Sequence, residues 1–417
     1  MNIVNVIGRE ILDSRGNPTV EVDIVLENGI VGRFSVPSGA STGSKEALEL
    51  RDSDNNYFHG QGVKAALKNI NTIIKENIVG MSVFDQELID NRLIYLDNTN
   101  NKSRLGANAM LGVSFAVLRA ASLCNGVPLF KYVGNGKKMP SLMVNIINGG
   151  KHADNNLSFQ EFMIVPIRDN VKESIRVASE VFHTLKGILK DNGLSTAVGD
   201  EGGFAPNLKS NYEALDLIME AITKSGYIPG GDVKISLDVA ASEIFKDGLY
   251  YFDNGTYSKD ALIEYYSDLV KRYPIISIED PVNEDDYELF SILTKKIGST
   301  VQLVGDDLFV TNEKYLQQGI NVNAGNAILI KPNQIGTYTE MLKTIRLAQE
   351  NNYTLIMSHR SGETEDTSIS DLVVGLSIPW IKTGSMSRGE RICKYNQLIR
   401  IEEQLKPLIW FFLLNMI

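Results

Sequence analysis

Between residues 18 and 29 apolar and polar positions alternate. Val20, Val22, Ile24 and Leu26 fall on one face, Glu21 and Asp23 on the other. This period of two predicts a half-buried strand, and Asn28-Gly29 predicts a hairpin turn after it. The flanking runs 2–12 and 30–37 complete a three-stranded meander. Residues 38–43 (Ser-Gly-Ala-Ser-Thr-Gly) are small and flexible and predict a mobile loop. Helical periodicity follows over about 62–78, 84–96 and 107–124, so residues 1–133 predict a small α+β unit. Gly134, Gly136 and Pro140 mark the link to what comes next.

From residue 141 the pattern changes. Short, continuously apolar runs alternate with helical segments: 234–238, 275–281, 301–307, 327–331, 353–360 and 380–384. From Glu279 to Asp306, Lys331, Arg360 and Lys382 the markers at the run ends advance by 27, 25, 29 and 22 positions. That is the length of a βα unit, and strands apolar throughout suit a parallel sheet buried on both faces. The pattern predicts an α/β protein: a (β/α)8-type barrel over residues 140–417, capped by the α+β unit. A doubly wound open sheet is the runner-up, but it would gather a site at one switch point and not around a ring.

The run ends carry the chemistry. Asp238, Glu279, Asp306, Lys331, Arg360 and Lys382 stand at six successive strand ends, which a barrel brings to one mouth. Asp238, Glu279 and Asp306 offer three hard oxygen ligands, the donor type that Mg²⁺ prefers. Salt bridging to Lys331 and Lys382 is the bland reading of the same residues. A lysine crowded by cations has its pKa pulled down and becomes a candidate base. The glycine-rich segment around Glu201 and the Gln160-Glu161 pair between Phe159 and Phe162 supply two more carboxylates, one of which can stay protonated as a general acid. Arg360 and Ser361, where a strand ends before a helix, can grip a phosphate as a bidentate donor and a hydroxyl. Of the four histidines, His152 and His359 lie in these segments. His183 sits on a helical pattern, and His59 has no evident role.

Composition narrows the classes. The chain has 417 residues, 43% hydrophobic and 22% charged, with a formal net charge of −10. An acidic chain without a basic stripe is not expected to bind nucleic acid. Cys124 and Cys393 are far apart and predict two reduced, buried thiols. Their state, with a first segment unlike a signal peptide, gives a cytosolic expectation. The apolar run PLIWFFLLNMI (407–417) is about half the length of a membrane span, so no membrane partner is expected.

Together these segments resemble enolase, the phosphopyruvate hydratase family, in its bacterial type. The resemblance rests on REILDSRGNPTVEV (9–22), SVPSGASTG (35–43), LGANAMLGVS (105–114), NGGKHADNN (148–156), QEFM (160–163), VGDEGGFAPN (198–207), SLDVAASE (236–243), SIEDP (277–281), VGDDLFVTN (304–312), LIKPNQIGT (329–337), SHRSGETED (358–366) and IKTG (381–384). It covers about residues 2–405 in family order. It implies a barrel with irregular first strands and reversible dehydration of 2-phospho-D-glycerate to phosphoenolpyruvate with two Mg²⁺ per site. By this resemblance Asp238, Glu279 and Asp306 hold the first Mg²⁺, and Ser41 closes over the site and helps hold the second. Lys331 removes the C2 proton. Glu201, assisted by Glu161, protonates the leaving hydroxyl. Gln160, Arg360, Ser361 and Lys382 hold the substrate, and His152 and His359 line the site. A homodimer or an octameric ring of dimers is implied, with Arg15 and Glu402-Glu403 as candidate subunit contacts.

The chain departs from the family pattern at Gln61, where lysine is usual, and after Leu405, where PLIWFFLLNMI replaces a more polar tail. That tail is read as a truncation or an altered reading frame. Two other functions compete. An acid-sugar dehydratase of the same superfamily would have no use for a phosphate grip. A binding or structural protein on the same fold would be expected to carry damaged site residues.

Overall fold

The computed structural model describes residues 1–40 and 42–406. The tail 407–417 and Ser41, both subjects of the sequence reading, lie outside the described residues.

Strands β1 (Ile3–Leu12), β2 (Pro18–Leu26) and β3 (Val31–Ser35) form the expected antiparallel meander, with β2 in the centre. Val20, Val22, Ile24 and Leu26 are buried, as the alternation requires. On the opposite face Glu21 and Asp23 pair with Arg9 and Arg33. The buried face lies on the helix Ala107–Cys124. Contact is close enough that a Cβ on Gly32 would sit 2.3 Å from the Ala116 carbonyl oxygen, so only glycine fits there. This helix is long and apolar enough to cross a membrane, but 83% of it is buried within the protein, as a core helix is.

The expected barrel is present and closed. Strands β4 (Ser141–Asn148), β5 (Glu161–Pro166) and β6 (Val233–Asp238) lead into a small meander of β7 (Phe245–Lys246), β8 (Leu249–Phe252) and β9 (Gly255–Tyr257). Then come β10 (Ile275–Glu279), β11 (Gln302–Gly305), β12 (Ala327–Ile330), β13 (Thr354–Ser358) and β14 (Trp380–Lys382). The barrel order is β10-β11-β12-β13-β14-β4-β5-β6. All neighbours are parallel except at β5, which runs antiparallel to both β4 and β6. The connection from Asn148 to Glu161 holds one short turn, Gly150–His152, and no crossover helix. A link that short returns the chain in the opposite direction. Glu161, the first residue of β5, is thereby paired with Asn148 and Asp238, the last residues of β4 and β6.

The outer helices start where side chains cap them. Asn170, Ser210, Ser258, Asp286, Asn312 and Thr337 each accept a backbone N–H of the first helical turn that follows. The capping unit is fastened to the barrel by buried polar contacts. Asp90 accepts the Thr339 backbone N–H at 2.9 Å and its hydroxyl at 2.7 Å. Lys102 Nζ lies 2.6 Å from Glu340 Oε1. Cys124 and Cys393 are free thiols and only half-buried, because each sits near a helix end at the surface and not in the core.

Two residues expected at a subunit contact are used within the chain. Glu402 accepts the backbone N–H of Val171 at 2.8 Å, capping the helix Val171–Asp191. Arg15 donates to Ser38 Oγ at 3.2 Å and to the Gly39 carbonyl at 3.1 Å.

Candidate active site

The barrel interior explains why charges gather at its C-terminal mouth. Met143, Met163, Val165, Val304, Ala327, Leu329 and Ile356 form an apolar plug inside it. Side chains alternate along a strand, so the next inward position beyond the plug is two residues on. From Val304 that position is Asp306, from Leu329 it is Lys331, and from Trp380, packed on the plug, it is Lys382. In β5 the same step runs backward, from Met163 to Glu161. Every expected site residue that is described is at or beside this mouth. His152, Gln160, Glu161, Glu201, Asp238, Lys331, His359, Arg360, Ser361 and Lys382 line one cavity. Its volume is about 10 Å³, roughly the room of one water, because the charged groups have closed on each other.

Lys382 is the hub of the acidic side. Its Nζ lies 2.7 Å from Glu279 Oε2, 3.0 Å from Asp238 Oδ2 and 3.1 Å from Glu161 Oε1, all buried. Burial opposes its charge, but the three carboxylates outweigh burial and hold it well above the usual lysine range. Burial pushes the Glu279 carboxyl well up, and repulsion from Asp238 adds to it. Gln160 Nε2 donates to Asp238 Oδ2 at 3.3 Å.

Lys331 faces Asp306 in a buried ion pair. The sequence led us to expect a lowered lysine pKa. The chain's own groups do the opposite: burial lowers it, Asp306 more than compensates, and Lys331 is pushed up to about 12. Asp306 is likewise pushed up by burial and pulled below its usual range by the Lys331 ammonium. Gln334 Nε2 donates to Asp306 Oδ1 at 2.8 Å, and Thr311 Oγ1 donates to Gln334 Oε1 at 2.7 Å while accepting the Lys331 backbone N–H at 2.9 Å. Val310 and Thr311 hold φ of 43° and 53°. A β-branched residue in that region is strained by about 1–3 kcal/mol, and the strain sets Thr311 under this network.

Opposite chemistry gathers around Glu201. Gly202, at φ 88°, lets the loop turn so tightly that a Cβ there would lie 2.6 Å from Ser387 Oγ. Glu201 Oε1 is 3.4 Å from His152 Nδ1 and 3.5 Å from His359 Nε2, and Asn145 Nδ2 donates to its Oε2 at 3.0 Å. Glu161 Oε1 is 3.6 Å from the same His152 nitrogen. Burial raises Glu161 well above the carboxylate range, and the charge of Glu201 raises it further. Burial also penalises Glu201, yet His152 and His359 hold it well below that range. Both histidines are driven toward neutrality by burial, His359 to about 4. Of the two carboxyls, Glu161 is therefore the one more readily protonated. Arg391 was missed by the sequence reading. It is fully buried and donates to His359 Nδ1 at 2.6 Å and to the carbonyls of Arg360 and Ser361 at 2.6 and 2.7 Å. Its signal, one arginine in a mixed helical segment, is indistinguishable from a surface charge.

Arg360 and Ser361 follow β13. The Arg360 guanidinium is clamped by Glu46, Nη1 to Oε2 at 2.9 Å and Nη2 to Oε1 at 3.1 Å, and by Asn333 Oδ1 at 2.9 Å. The root of the expected mobile loop is pinned beside them. Ser38 and Gly362 exchange backbone hydrogen bonds of 2.7 and 2.8 Å, and the Ala40 N–H donates to Ser361 Oγ at 2.6 Å.

The donors suit a hard cation. Glu279 Oε1 and Glu161 Oε2 are buried without a hydrogen-bond partner among the described residues. A buried carboxylate oxygen with nothing to bind is costly unless a cation completes it. Ligand atoms of Asp280, Asp306 and Asp307 lie within 4.8 Å of one another, as do those of His152, Glu161 and Glu201. The first group brings in Asp280 and Asp307, which the sequence reading did not single out. The Asp280 carboxylate accepts the backbone N–H groups of Asp306 and Asp307 at 2.9 Å each.

Two family models match the chain. Residues 3–133 match the model described as enolase, N-terminal domain, and residues 136–411 match enolase, C-terminal TIM barrel domain.

Proposed function

This chain belongs to the enolase family, and we propose that it catalyses the reversible, Mg²⁺-dependent dehydration of 2-phospho-D-glycerate to phosphoenolpyruvate, the hydro-lyase step of glycolysis and gluconeogenesis. The observation that carries this reading is one cavity lined at once by an ammonium (Lys331), two carboxyls (Glu161 and Glu201) and a guanidinium and hydroxyl suited to a phosphate (Arg360 and Ser361). An acid-sugar substrate would leave the grip unused.

In this reading Lys331 takes the C2 proton and Glu201, assisted by Glu161, which burial keeps the more readily protonated of the two, delivers one to the departing C3 hydroxyl. Hydroxide leaves poorly, so the acid is as necessary as the base. Lys382 holds the substrate carboxylate and stabilises the negative charge that builds on it, an interaction stronger in the transition state than in the ground state. Asp238, Glu279 and Asp306 would hold one Mg²⁺, and Ser41 would help hold a second. When bound, a divalent cation supplies positive charge that neutralises these carboxylates, lowers the pKa of Lys331 and stabilises the developing anion. Binding substrate also means that internal pairs such as Lys331–Asp306 are exchanged for new contacts, because the closed cavity has no room otherwise.

A substrate panel tests the reading. 2-Phosphoglycerate is predicted to be dehydrated, while D-glycerate and an acid sugar such as D-gluconate are not. Dehydration of the acid sugar at a comparable rate, with none of 2-phosphoglycerate, would replace this reading with the acid-sugar one.

A further inference from the structure

Glu46 lies outside every motif assigned a role above, yet it touches three parts of the site. Its two carboxylate oxygens clamp Nη1 and Nη2 of Arg360. Its Oε1 also accepts the backbone N–H of Gly43, the last residue of the loop 38–43, at 3.1 Å, and the Glu46 N–H donates back to the Gly43 carbonyl at 3.1 Å. The same oxygen is 3.3 Å from Gln334 Nε2, whose amide binds Asp306. The pair is buried, with side-chain exposures of 3% for Arg360 and 7% for Glu46.

The position of Glu46 decides what it does. Arg360 and Ser361 line the catalytic cavity, and Glu46 does not. Glu46 and Asn333 instead line a separate cavity of about 410 Å³ together with Gly39, Thr42 and Gly43 of the loop. The carboxylate therefore holds the guanidinium from outside the cavity that Lys331, Glu161 and Glu201 line. A planar, bidentate pair fixes the orientation of the guanidinium, which an unbraced arginine would lose to its many rotamers.

We propose that Glu46 is a positioning residue that holds Arg360 in the orientation a phosphate requires and ties that grip to the end of the 38–43 loop. The inference rests on the phosphorylated substrate proposed above.

The test compares Glu46→Gln and Glu46→Asp with the wild type in Mg²⁺-dependent turnover of 2-phosphoglycerate. Inorganic phosphate binding is measured separately by calorimetry. Glu46→Gln keeps the size but not the charge. It is expected to raise KM about tenfold, with a smaller fall in kcat, and to weaken phosphate binding by a similar factor. Glu46→Asp restores part of both. Asn333→Ala, which leaves the carboxylate in place, shifts KM in the same direction by less and serves if Glu46→Gln does not fold. KM and phosphate affinity within twofold of wild type in folded variants would overturn the role of Glu46, as would a wild type that binds no phosphate. A wild type that binds phosphate but does not turn over 2-phosphoglycerate would overturn the proposed reaction, and the phosphate titration would still judge Glu46.

Discussion

Arg391 Nη1 donates to His359 Nδ1 at 2.6 Å, which leaves the imidazole proton on Nε2, facing Glu201 Oε1 at 3.5 Å. Arginine has only donors, so no other tautomer of a neutral His359 satisfies this contact. The same guanidinium binds the carbonyls of Arg360 and Ser361, so one buried side chain fixes both the neighbour of Glu201 and the Arg360-Ser361 segment. Arg391→Lys keeps the charge but cannot span these partners. We expect it to lower kcat about 10²-fold, the usual result of displacing reacting groups by an ångström. Steady-state kinetics check this, and wild-type kcat in a folded variant would contradict it.

In the proposed reaction Lys331 and Glu201 divide the chemistry between two steps. Lys331→Ala should abolish exchange of the C2 proton with solvent while leaving cation binding largely intact. Glu201→Gln should block dehydration while some exchange persists. Deuterium exchange followed by NMR separates the two steps, and normal exchange in Lys331→Ala would remove the base assignment.

Lys382 is the sole ammonium within 3.1 Å of Asp238, Glu279 and Glu161 among the described residues. Lys382→Met leaves three buried carboxylates facing each other. Breaking such a cluster costs about 3–5 kcal/mol, so the melting temperature should fall in chelator. Mg²⁺ should recover part of the loss, since an ion that binds only the folded state stabilises it. No Mg²⁺ response in either protein would argue against a cation at these oxygens.

Asp90 gives stability a pH dependence away from the site. Burial raises its carboxyl to about 6, against hydrogen bonds from Thr339 that pull it down. The folded state thus holds a proton that the unfolded chain has already released between about pH 4 and 6. Its contribution is most favourable below the unfolded pKa and is lost as pH rises through 6, a change of about 3 kcal/mol for two pKa units. Asp90→Asn should therefore be more stable than wild type at pH 8, and the difference should shrink toward pH 4. Denaturant unfolding at the two pH values measures it; a difference that does not change with pH would contradict the burial argument.

The strand-end charges were legible in the sequence because each stands at the end of an apolar run, and the run spacing is that of a βα unit. The antiparallel β5 was not legible. Its direction follows from the short link 149–160, and so the placing of Glu161 against Asp238 came only with the barrel. The pairing of Lys331 with Asp306 was not legible for a related reason. Asp306 lies 25 positions away on the next strand, and the sequence shows both groups but not their contact. Glu46 and Arg391 reach the site from the capping unit and from the last described helix, in segments with no periodic signal of their own.

The central claim is most directly tested by following phosphoenolpyruvate formation from 2-phosphoglycerate in the ultraviolet, with Mg²⁺, after chelation, and after Mg²⁺ is restored. The account predicts steady formation, loss on chelation and recovery on restoration, all absent in Lys331→Ala. No phosphoenolpyruvate from the folded wild type with Mg²⁺, or formation indifferent to chelation, would contradict it.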